Sequence, residues 1–374
     1  MKLIHVINSL GGGGKERRML QLVKGLLQND SIQQSIIVFS KRADHKEASN
    51  INVPIITIEE KTHSKQFKAL KEVLKKEKPD IVHSWCNLPS VMLFLPVLKL
   101  RLGFKYIAGF VADANKSKVL SSTNIFAKVS FWAADAIVSN SKAGLVAKGA
   151  NMKKSYVIYN GFDFNRIPKN VDFKALRREL GIDTKHVIGM FASFYAGKDY
   201  LSFFETASRI ADSSNDVKFI AVGQGVDFEY YNKYIEDNRI TNTKLLGFRT
   251  DVEALMQLCD ISLLFSNDKV HAEGVSNSIM EAMASGNVVI ATNGGGTPEI
   301  IQHKENGYIV PPRGVNEAVV YINELLANEE LMKRISKQAI KSIKEKFQLS
   351  MMVENYISLY KQLKNENNDI NSGA

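Results

Sequence analysis

Cysteine is nearly absent from this chain of 374 residues, which contains only Cys86 and Cys259. They are far apart and lack neighbouring metal ligands, so neither a disulfide framework nor a zinc site is expected. No apolar run approaches the roughly 18 residues of a membrane-spanning helix, and the run over residues 3–7 is too short for a signal-peptide core. We therefore expect a cytoplasmic protein that is soluble or peripheral to a membrane.

The net positive charge lies in the first part of the chain. Residues 1–160 contain 25 Lys and Arg against 11 Asp and Glu, a net charge of +14, and the remaining residues contain 24 against 28, a net charge of −4. This asymmetry indicates an anionic partner for the first part, such as a phosphorylated acceptor, an anionic membrane or a nucleic acid. A nucleic acid is disfavoured, because no aromatic residues are interleaved with the basic ones in the pattern that single-strand binding uses.

Length and patterning predict two α/β domains. A chain of this length exceeds one ordinary domain of roughly 150 residues. Apolar runs typical of buried parallel strands alternate with amphipathic helical stretches, and the alternation restarts after residue 165. We predict Rossmann-like, doubly wound domains over residues 1–165 and 166–347, a helix over 348–364 and a disordered tail over 365–374.

Two carboxylates, Glu273 and Glu281, lie eight positions apart around a predicted helix start. A buried strand over residues 260–265 leads into the loop that carries Glu273, and Ser278 with Glu281 has the spacing of a capping box. The backbone amides of residues 275–279 would lie at the positive end of this helix, where a phosphate is attracted. An anion site flanked by two acids suits a nucleotide-sugar. Alternatively, Glu281 only closes the capping box and Glu273 is a surface charge.

The stretch from Glu273 to Glu281 resembles the Glu-x7-Glu signature of retaining glycosyltransferases of the sucrose-synthase-like family 4. Members of that family have the GT-B fold, in which two Rossmann-like domains face each other across a cleft and a C-terminal helix crosses back to the first domain. The resemblance implies that Glu273 contacts the donor sugar and Glu281 the ribose. It implies transfer of a sugar from a nucleoside-diphosphate sugar to an acceptor hydroxyl, with no cofactor.

The resemblance extends to other parts of the donor site. Lys198 corresponds to a lysine that holds the donor diphosphate, whereas Ser193 stands where the family has an arginine. No Asp-x-Asp triad occurs, so no metal is expected to chelate the diphosphate. The remaining donor-site candidates are residues of two glycine turns, of the loop beside the base and of the helix start: Gly12, Gly13, Gly223, Phe248, Arg249, Val275, Ser276, Asn277 and Ser278. Gly12 and Gly13 have an equally simple interpretation as a tight strand-to-helix turn.

Two residues of the first domain are candidates for catalysis on the acceptor side. His83 ends a predicted strand and matches the family's Pro-Asp-Ile-Val-His pattern, although a lone histidine is as often structural. Asp113 is the polar residue nearest to the position where many members carry a catalytic-site histidine, which this chain lacks. The group that activates the acceptor is therefore left open.

A lysine-rich helix over residues 61–78 and an apolar helical segment over 88–105 together have the composition of an interfacial anchor. Leu93, Phe94, Leu95 and Leu98 would supply its apolar side. Many family members glycosylate lipid-linked precursors of surface polysaccharides at the inner membrane face, and their N-terminal domain carries the acceptor site. We therefore predict a peripheral enzyme with a lipid-linked or saccharide acceptor.

Three other functions remain open on the sequence alone. A nucleotide-sugar epimerase would use the same fold and release an altered nucleotide-sugar without an acceptor. A phosphorylase would carry a pyridoxal-phosphate lysine. A non-enzymatic anion-binding protein would use only the basic half of the chain.

Overall fold

The structure is a computed structural model that describes residues 1–11, 13–42, 51–115 and 121–372. Gly12, one of the candidate donor-site glycines, lies outside these residues. The chain divides into two compact units. The first unit contains Met1–Gly161 together with Leu349–Ala374, and the second contains Phe162–Gln348.

The first unit is built on a seven-stranded parallel sheet with the order β3-β2-β1-β4-β5-β6-β7. Its strands are β1 (Lys2–Ile7), β2 (Gln33–Val38), β3 (Ile55–Thr57), β4 (Ile81–Ser84), β5 (Lys105–Val111), β6 (Ala136–Ser139) and β7 (Ser155–Val157). Its helices are α1 (Gly14–Leu26), α2 (His63–Glu77), α3 (Pro89–Leu102), α4 (Ser122–Ala133), α5 (Lys142–Ala147) and α14 (Leu349–Ser372). One hydrophobic layer packs against α1 and α14 and another against α2, α3 and α4, so the strands are buried on both faces.

The second unit contains a six-stranded parallel sheet with the order β10-β9-β8-β11-β12-β13. Its strands are β8 (His186–Phe191), β9 (Val217–Val222), β10 (Thr243–Gly247), β11 (Ile261–Leu264), β12 (Val288–Thr292) and β13 (Tyr308–Val310). Its helices are α6 (Phe173–Leu180), α7 (Tyr200–Ala211), α8 (Phe228–Asp237), α9 (Val252–Leu258), α10 (Asn277–Ala284), α11 (Thr297–Ile300), α12 (Val315–Ala327) and α13 (Glu329–Lys346).

Both sheets change their direction of strand order in the middle. The order reverses between β1 and β4 in the first unit and between β8 and β11 in the second. Open parallel sheets bind ligands just beyond the carboxyl ends of the strands that flank such a point. In the second unit, the loops that leave these two strands are residues 192–199 and 265–276, which contain Lys198 and Glu273.

The last helix, α14, belongs to the first unit. Met352, Tyr356, Leu359, Tyr360 and Leu363 of this helix are part of the same core as α1. The predicted return of the C-terminal helix to the first domain is therefore confirmed. The helical backbone continues to Ser372, through residues that the polar composition of 365–374 predicted as a disordered tail.

The predicted interfacial anchor is wrong in its apolar residues. Leu95 and Leu98 are fully buried in the core of the first unit, and Leu93 is half-buried. Phe94 packs edge-to-face on Phe67 of α2, with ring centroids 5.2 Å apart. Of the predicted anchor residues, Phe94 thus packs on α2, and Leu95 and Leu98 belong to the core. The prediction failed because composition alone does not distinguish the buried from the exposed side of an apolar helix.

Among the described residues, no helix combines the length and the apolar character needed to cross a bilayer.

The contact between α1 and α14 depends on Gly25, because a Cβ at this position would overlap Val353 Cγ2. We expect Gly25→Ala to lower the free energy of unfolding by about 1–3 kcal/mol through overpacking. In a Val353→Ala background the nearest atom, Cβ, is 3.4 Å from the added methyl, so the same change should stabilise by about 0.5–1 kcal/mol, as alanine does in a helix. Urea unfolding of the four proteins measures both effects, and the same sign in both backgrounds would contradict this contact.

Candidate active site

Two loops of the second unit are joined edge to edge by backbone hydrogen bonds. Lys198 and Ser266 form an antiparallel bridge. The Asp199 amide donates to the Phe265 carbonyl at 3.0 Å, and the Asn267 amide donates to the Gly197 carbonyl at 3.1 Å. The loop after β8 and the loop after β11 therefore form one structure at the point where the strand order reverses.

This junction brings Lys198 and Glu273 into direct contact. The Lys198 ammonium donates to Glu273 Oε1, and both side chains are nearly buried. Ser266 Oγ lies 3.4 Å from the same carboxylate oxygen, and His271 Nε2 lies 3.5 Å from Oε2. Lys198 and Glu273 were both sequence candidates. His271 and Ser266 were not, and only their positions in the loop before Glu273 hinted at a role.

The carboxyl group of Glu273 is ionised over the whole physiological range. Burial alone would raise its pKa, but the charge of Lys198 and hydrogen bonds from His271 and Lys198 outweigh burial and lower the pKa from 4.5 to about 2. The same carboxylate helps burial to raise the pKa of the neighbouring Tyr195 to about 12. Glu273 is therefore a hydrogen-bond acceptor and a fixed negative charge, and it cannot serve as a proton donor near neutral pH.

A glycine turn after β12 fixes the backbone that carries Glu273. The Gly296 amide donates to the Glu273 carbonyl at 3.0 Å. Gly295 has a φ of +51°, and a Cβ there would overlap the Glu273 carbonyl oxygen. The turn thus needs glycine for two reasons, which are its left-handed conformation and the close approach of a second backbone.

The second acid, Glu281, is buried on α10 and is held by a different cation. Arg166 Nη1 donates to Glu281 Oε1 at 2.9 Å, and Arg166 Nη2 donates to Glu253. The Arg166 guanidinium also lies over the Phe162 ring, 5.3 Å from its centroid. Sequence reasoning missed Arg166, because it stands at the predicted boundary between the two domains, where no local pattern signals a contact more than a hundred residues away.

The predicted capping box is wrong. Helix α10 begins at Asn277 with Ser276 as its N-cap, and Ser276 makes no side-chain capping hydrogen bond. Ser278 Oγ instead donates to the Phe191 carbonyl at 2.6 Å, which ties the helix to the end of β8. Val275 and Ser276 are buried at the positive end of the helix dipole. Glu281 therefore does not close the first turn.

The space beside the ion pair is polar. A cavity of about 430 Å³ lies next to Lys198 and is also lined by Asp199, Asn267, Tyr231 and Arg313. Asp199 caps α7 by accepting from the Ser202 amide at 3.1 Å. The cavity thus adjoins a second helix start, and its wall carries both cationic and acidic side chains, the latter including Glu205.

One of the two remaining donor-side loops carries Gly223, and the other carries Phe248 and Arg249. A Cβ at Gly223 would overlap the Ala192 carbonyl, so this glycine allows two backbones to touch. Phe248 is 67% exposed and offers a free ring face. Arg249 is engaged by Asp251 at 2.9 and 2.7 Å and by Glu179 at 2.6 Å, so its charge is already balanced.

His83 is placed where a ligand cannot reach it in this structure. Its ring is fully buried, Nδ1 is 2.8 Å from the Tyr360 hydroxyl, and a Cβ at Gly109 would overlap Nε2. Burial, with the nearby His5 and Arg18, holds its pKa well below 6.5. The neutral, enclosed ring favours the structural alternative over a catalytic one. A strand residue near the carboxyl end can point into the covered face of the sheet, which the motif does not reveal.

The other first-unit candidates, Asp113 and Gly13, make contacts of their own. Asp113 forms an ion pair with Lys148 at 2.9 Å and accepts from the Asn115 amide at 2.9 Å, with its side chain about one-third exposed. Gly13 is the N-cap of α1, and the Glu16 carboxylate lies against it. The sequence prediction of roles for Asp113 and Gly13 stays a prediction.

Comparison with known proteins defines the class to which this fold and site belong. Residues 172–342 match the family model described as glycosyl transferases group 1. The chain therefore carries a group 1 glycosyltransferase domain, which is the second unit and holds both Glu273 and Glu281. The predicted resemblance to this class is confirmed.

Individual relatives give the same class. The chain is 28% identical over 210 residues to N-acetyl-alpha-D-glucosaminyl L-malate synthase of Bacillus anthracis, covering 56% of this chain and 54% of that protein. It is 24% identical over 311 residues to UDP-Gal:alpha-D-GlcNAc-diphosphoundecaprenol alpha-1,3-galactosyltransferase of Escherichia coli, covering 79% of each. The chain spans about half the length of several curated relatives, including the first of these two.

Solved structures confirm the fold class. HepE of Anabaena, determined with UDP and with UDP-glucose, superposes with TM-scores of 0.83 and 0.82 at 20% identity and covers 97% of this chain and 100% of that one. The predicted fold, two Rossmann-like α/β domains of the GT-B type, is thus confirmed.

The low pKa of Glu273 predicts a pH dependence of stability. Because the pKa is depressed on folding, the ionised carboxylate stabilises the native state fully above pH 4.5, and this contribution is lost as the pH falls toward 2. The shift corresponds to about 3 kcal/mol. We expect the difference in unfolding free energy between wild type and Glu273→Gln to narrow between pH 5 and 3 in urea titrations. Glu305→Gln, which removes an exposed acid, is the matched control. A constant difference across this range would contradict the pairing.

Proposed function

We propose that this protein is a retaining glycosyltransferase that moves a sugar from a nucleoside-diphosphate sugar to an acceptor hydroxyl. The observation that carries the proposal is a pair of buried acids on either side of the N-terminus of α10, each held by its own cation. A nucleotide-sugar presents a diphosphate between two groups of hydroxyls, which matches this order of charges. The binding of UDP and UDP-glucose by HepE supports a uridine nucleotide as the donor.

In this proposal Glu273 and Glu281 bind different parts of the donor. Glu273, ionised and fixed by Lys198, accepts hydrogen bonds from hydroxyls of the donor sugar. Glu281, fixed by Arg166, accepts from the ribose. The exposed Phe248 ring offers a face on which the base stacks.

The rate of such a reaction depends on how well the negative charge on the leaving group is stabilised. When the bond between the anomeric carbon and the diphosphate breaks, negative charge develops on the departing phosphate oxygen. In this proposal Lys198 and the positive end of α10 stabilise that charge as preorganised electrostatics. The acceptor oxygen attacks the same face that the diphosphate leaves, so the configuration is retained and the acceptor proton passes to the departing phosphate.

The acceptor is proposed to be a lipid-linked or saccharide intermediate of surface polysaccharide or glycolipid synthesis. The name of the E. coli relative specifies a diphosphoundecaprenol acceptor. The net charge of +14 over residues 1–160, from 25 basic against 11 acidic residues, suits such a phosphorylated substrate and an anionic membrane.

The donor is tested first by binding. Uridine, guanosine and adenosine diphosphate sugars are screened by thermal shift, and we expect one uridine diphosphate sugar to raise the Tm of wild type. Failure of every nucleotide-sugar to shift the Tm would refute the proposal.

Lys198→Ala should weaken transition-state stabilisation by about 2–4 kcal/mol, and EDTA should leave turnover unchanged. Lys333→Ala, which removes an exposed lysine of α13, is the control for the lysine change.

The two acids should fail differently when changed to their amides. Glu273→Gln should mainly lower kcat, because Glu273 contacts the group whose charge changes. Glu281→Gln should mainly raise the KM for the donor, because ribose binding is the same in the ground and transition states. Initial-rate kinetics measure both. Equal losses of stability with unaltered kinetics in both variants would show that the acids are structural only.

A further inference from the structure

Two neighbouring helices of the first unit expose large apolar side chains on one surface. Lys99 Nζ of α3 donates to the carbonyl of Ala133 at the end of α4 at 2.8 Å, so the last turns of the two helices lie side by side. Leu100 and Trp132, the residues next to these partners, are each 74% exposed. We define the α3–α4 patch as the exposed apolar residues of these helices: Val97, Leu100, Ile125, Val129 and Trp132.

The exposed apolar residues are spaced so that they fall on one face of each helix. Ile125, Val129 and Trp132 are separated by four and three positions, so they occupy one face of α4. Val97 and Leu100 occupy the corresponding face of α3. An outward helix face in a water-exposed protein is normally polar, so an apolar one marks a surface that is covered by something else.

The exposed charges on and beside these helices are mainly basic, and Asp135, which follows α4, is mostly buried and paired with Lys99 at 2.8 Å. Neither α3 nor α4 contains Asp or Glu. Arg101 and Lys128 are exposed on the two helices. Lys154 donates to the carbonyls of Trp132 and Ala134 at 2.8 Å each, which brings the exposed Lys153 and Met152 close to the end of α4. The patch is thus an apolar centre with a basic rim.

We infer that the α3–α4 patch docks the protein on an anionic lipid bilayer. Tryptophan and leucine insert at the level of the headgroups, while arginine and lysine contact the lipid phosphates. A second copy of the chain is a poorer occupant, because a symmetric dimer through this face would bring two basic rims together. This inference rests on the proposed function in one respect, since a lipid-linked acceptor lies in such a bilayer.

The patch differs from the lysine-rich face of α2. Lys65, Lys68, Lys75 and Lys76 are exposed there, but no large apolar side chain is exposed among them. Such a face attracts an anionic surface through its charge without inserting into it. The α3–α4 patch combines charge with insertion, and it therefore fixes which surface of the first unit meets the lipid.

The test is binding to phosphatidylglycerol–phosphatidylcholine vesicles, with pure phosphatidylcholine vesicles for comparison. Wild type should co-sediment with the anionic vesicles only. Leu100→Glu/Trp132→Glu should lower the partition coefficient about tenfold or more. The matched control is Val226→Glu/Val320→Glu, because these valines of the second unit are 90% and 60% exposed; it should bind like wild type.

Fluorescence gives a second readout that does not depend on charge changes. The chain has two tryptophans, and Trp85 is fully buried. Anionic vesicles should shift the emission of Trp132 to the blue and protect it from iodide, and Trp132→Phe should abolish both effects while still co-sedimenting.

Three outcomes would overturn the inference. They are no binding of wild type to anionic vesicles, equal binding by the Leu100→Glu/Trp132→Glu variant, and a wild-type dimer in gel filtration that this variant abolishes. The nucleotide-sugar thermal shift is measured on the same proteins. A retained shift without vesicle binding refutes the docking surface alone, and vesicle binding without any shift refutes the proposed transferase alone.

Discussion

The ion pair between Lys198 and Glu273 constrains how two loops of the second unit can be arranged. Two opposite charges that are nearly buried stabilise each other only while both are present and correctly placed, because an unpaired charge in that position would cost several kcal/mol. The strand order of the sheet brings the two charges together. Strands β8 and β11 are neighbours, so the loops that follow them leave the sheet at the same edge. The backbone bridge between Lys198 and Ser266 then sets the separation of the two side chains.

The second acid is also paired with a cation, which comes from a different element. Glu281 is anchored by Arg166, which reaches it from the segment before α6. One acid therefore depends on a loop-to-loop bridge, and the other on a helix and a remote arginine. Glycines support the first arrangement, because Gly295 admits the backbone of Glu273 and Gly296 admits that of Gly274. The two carboxylates are held by partners on separate elements, which favours electrostatic preorganisation of the site.

Sequence reasoning found the parts that depend on local pattern. Alternating apolar runs located both sheets, and the spacing of Glu273 and Glu281 identified the centre of the site. It failed where a residue's role depends on a distant partner. Ser278 has the capping spacing, yet its hydroxyl bonds to Phe191; His83 ends a strand, yet its ring is enclosed beneath Tyr360. Arg166 had no local signal at all. The exposed face of α3 was also misjudged, because the partner that buries Phe94 is Phe67 on another helix.

The membership of α14 in the first unit has a consequence for synthesis of the chain. The first unit is discontinuous, so Tyr356 and Tyr360 are translated long after the sheet they complete. Until they arrive, the buried Arg18 lacks the Tyr356 hydroxyl and the Tyr356 ring face, and His83 lacks its only described polar partner. The second unit is continuous and can close on itself as it leaves the ribosome. The N-terminal half of the nascent chain is therefore the last to mature, and it is the half exposed longest to chaperones.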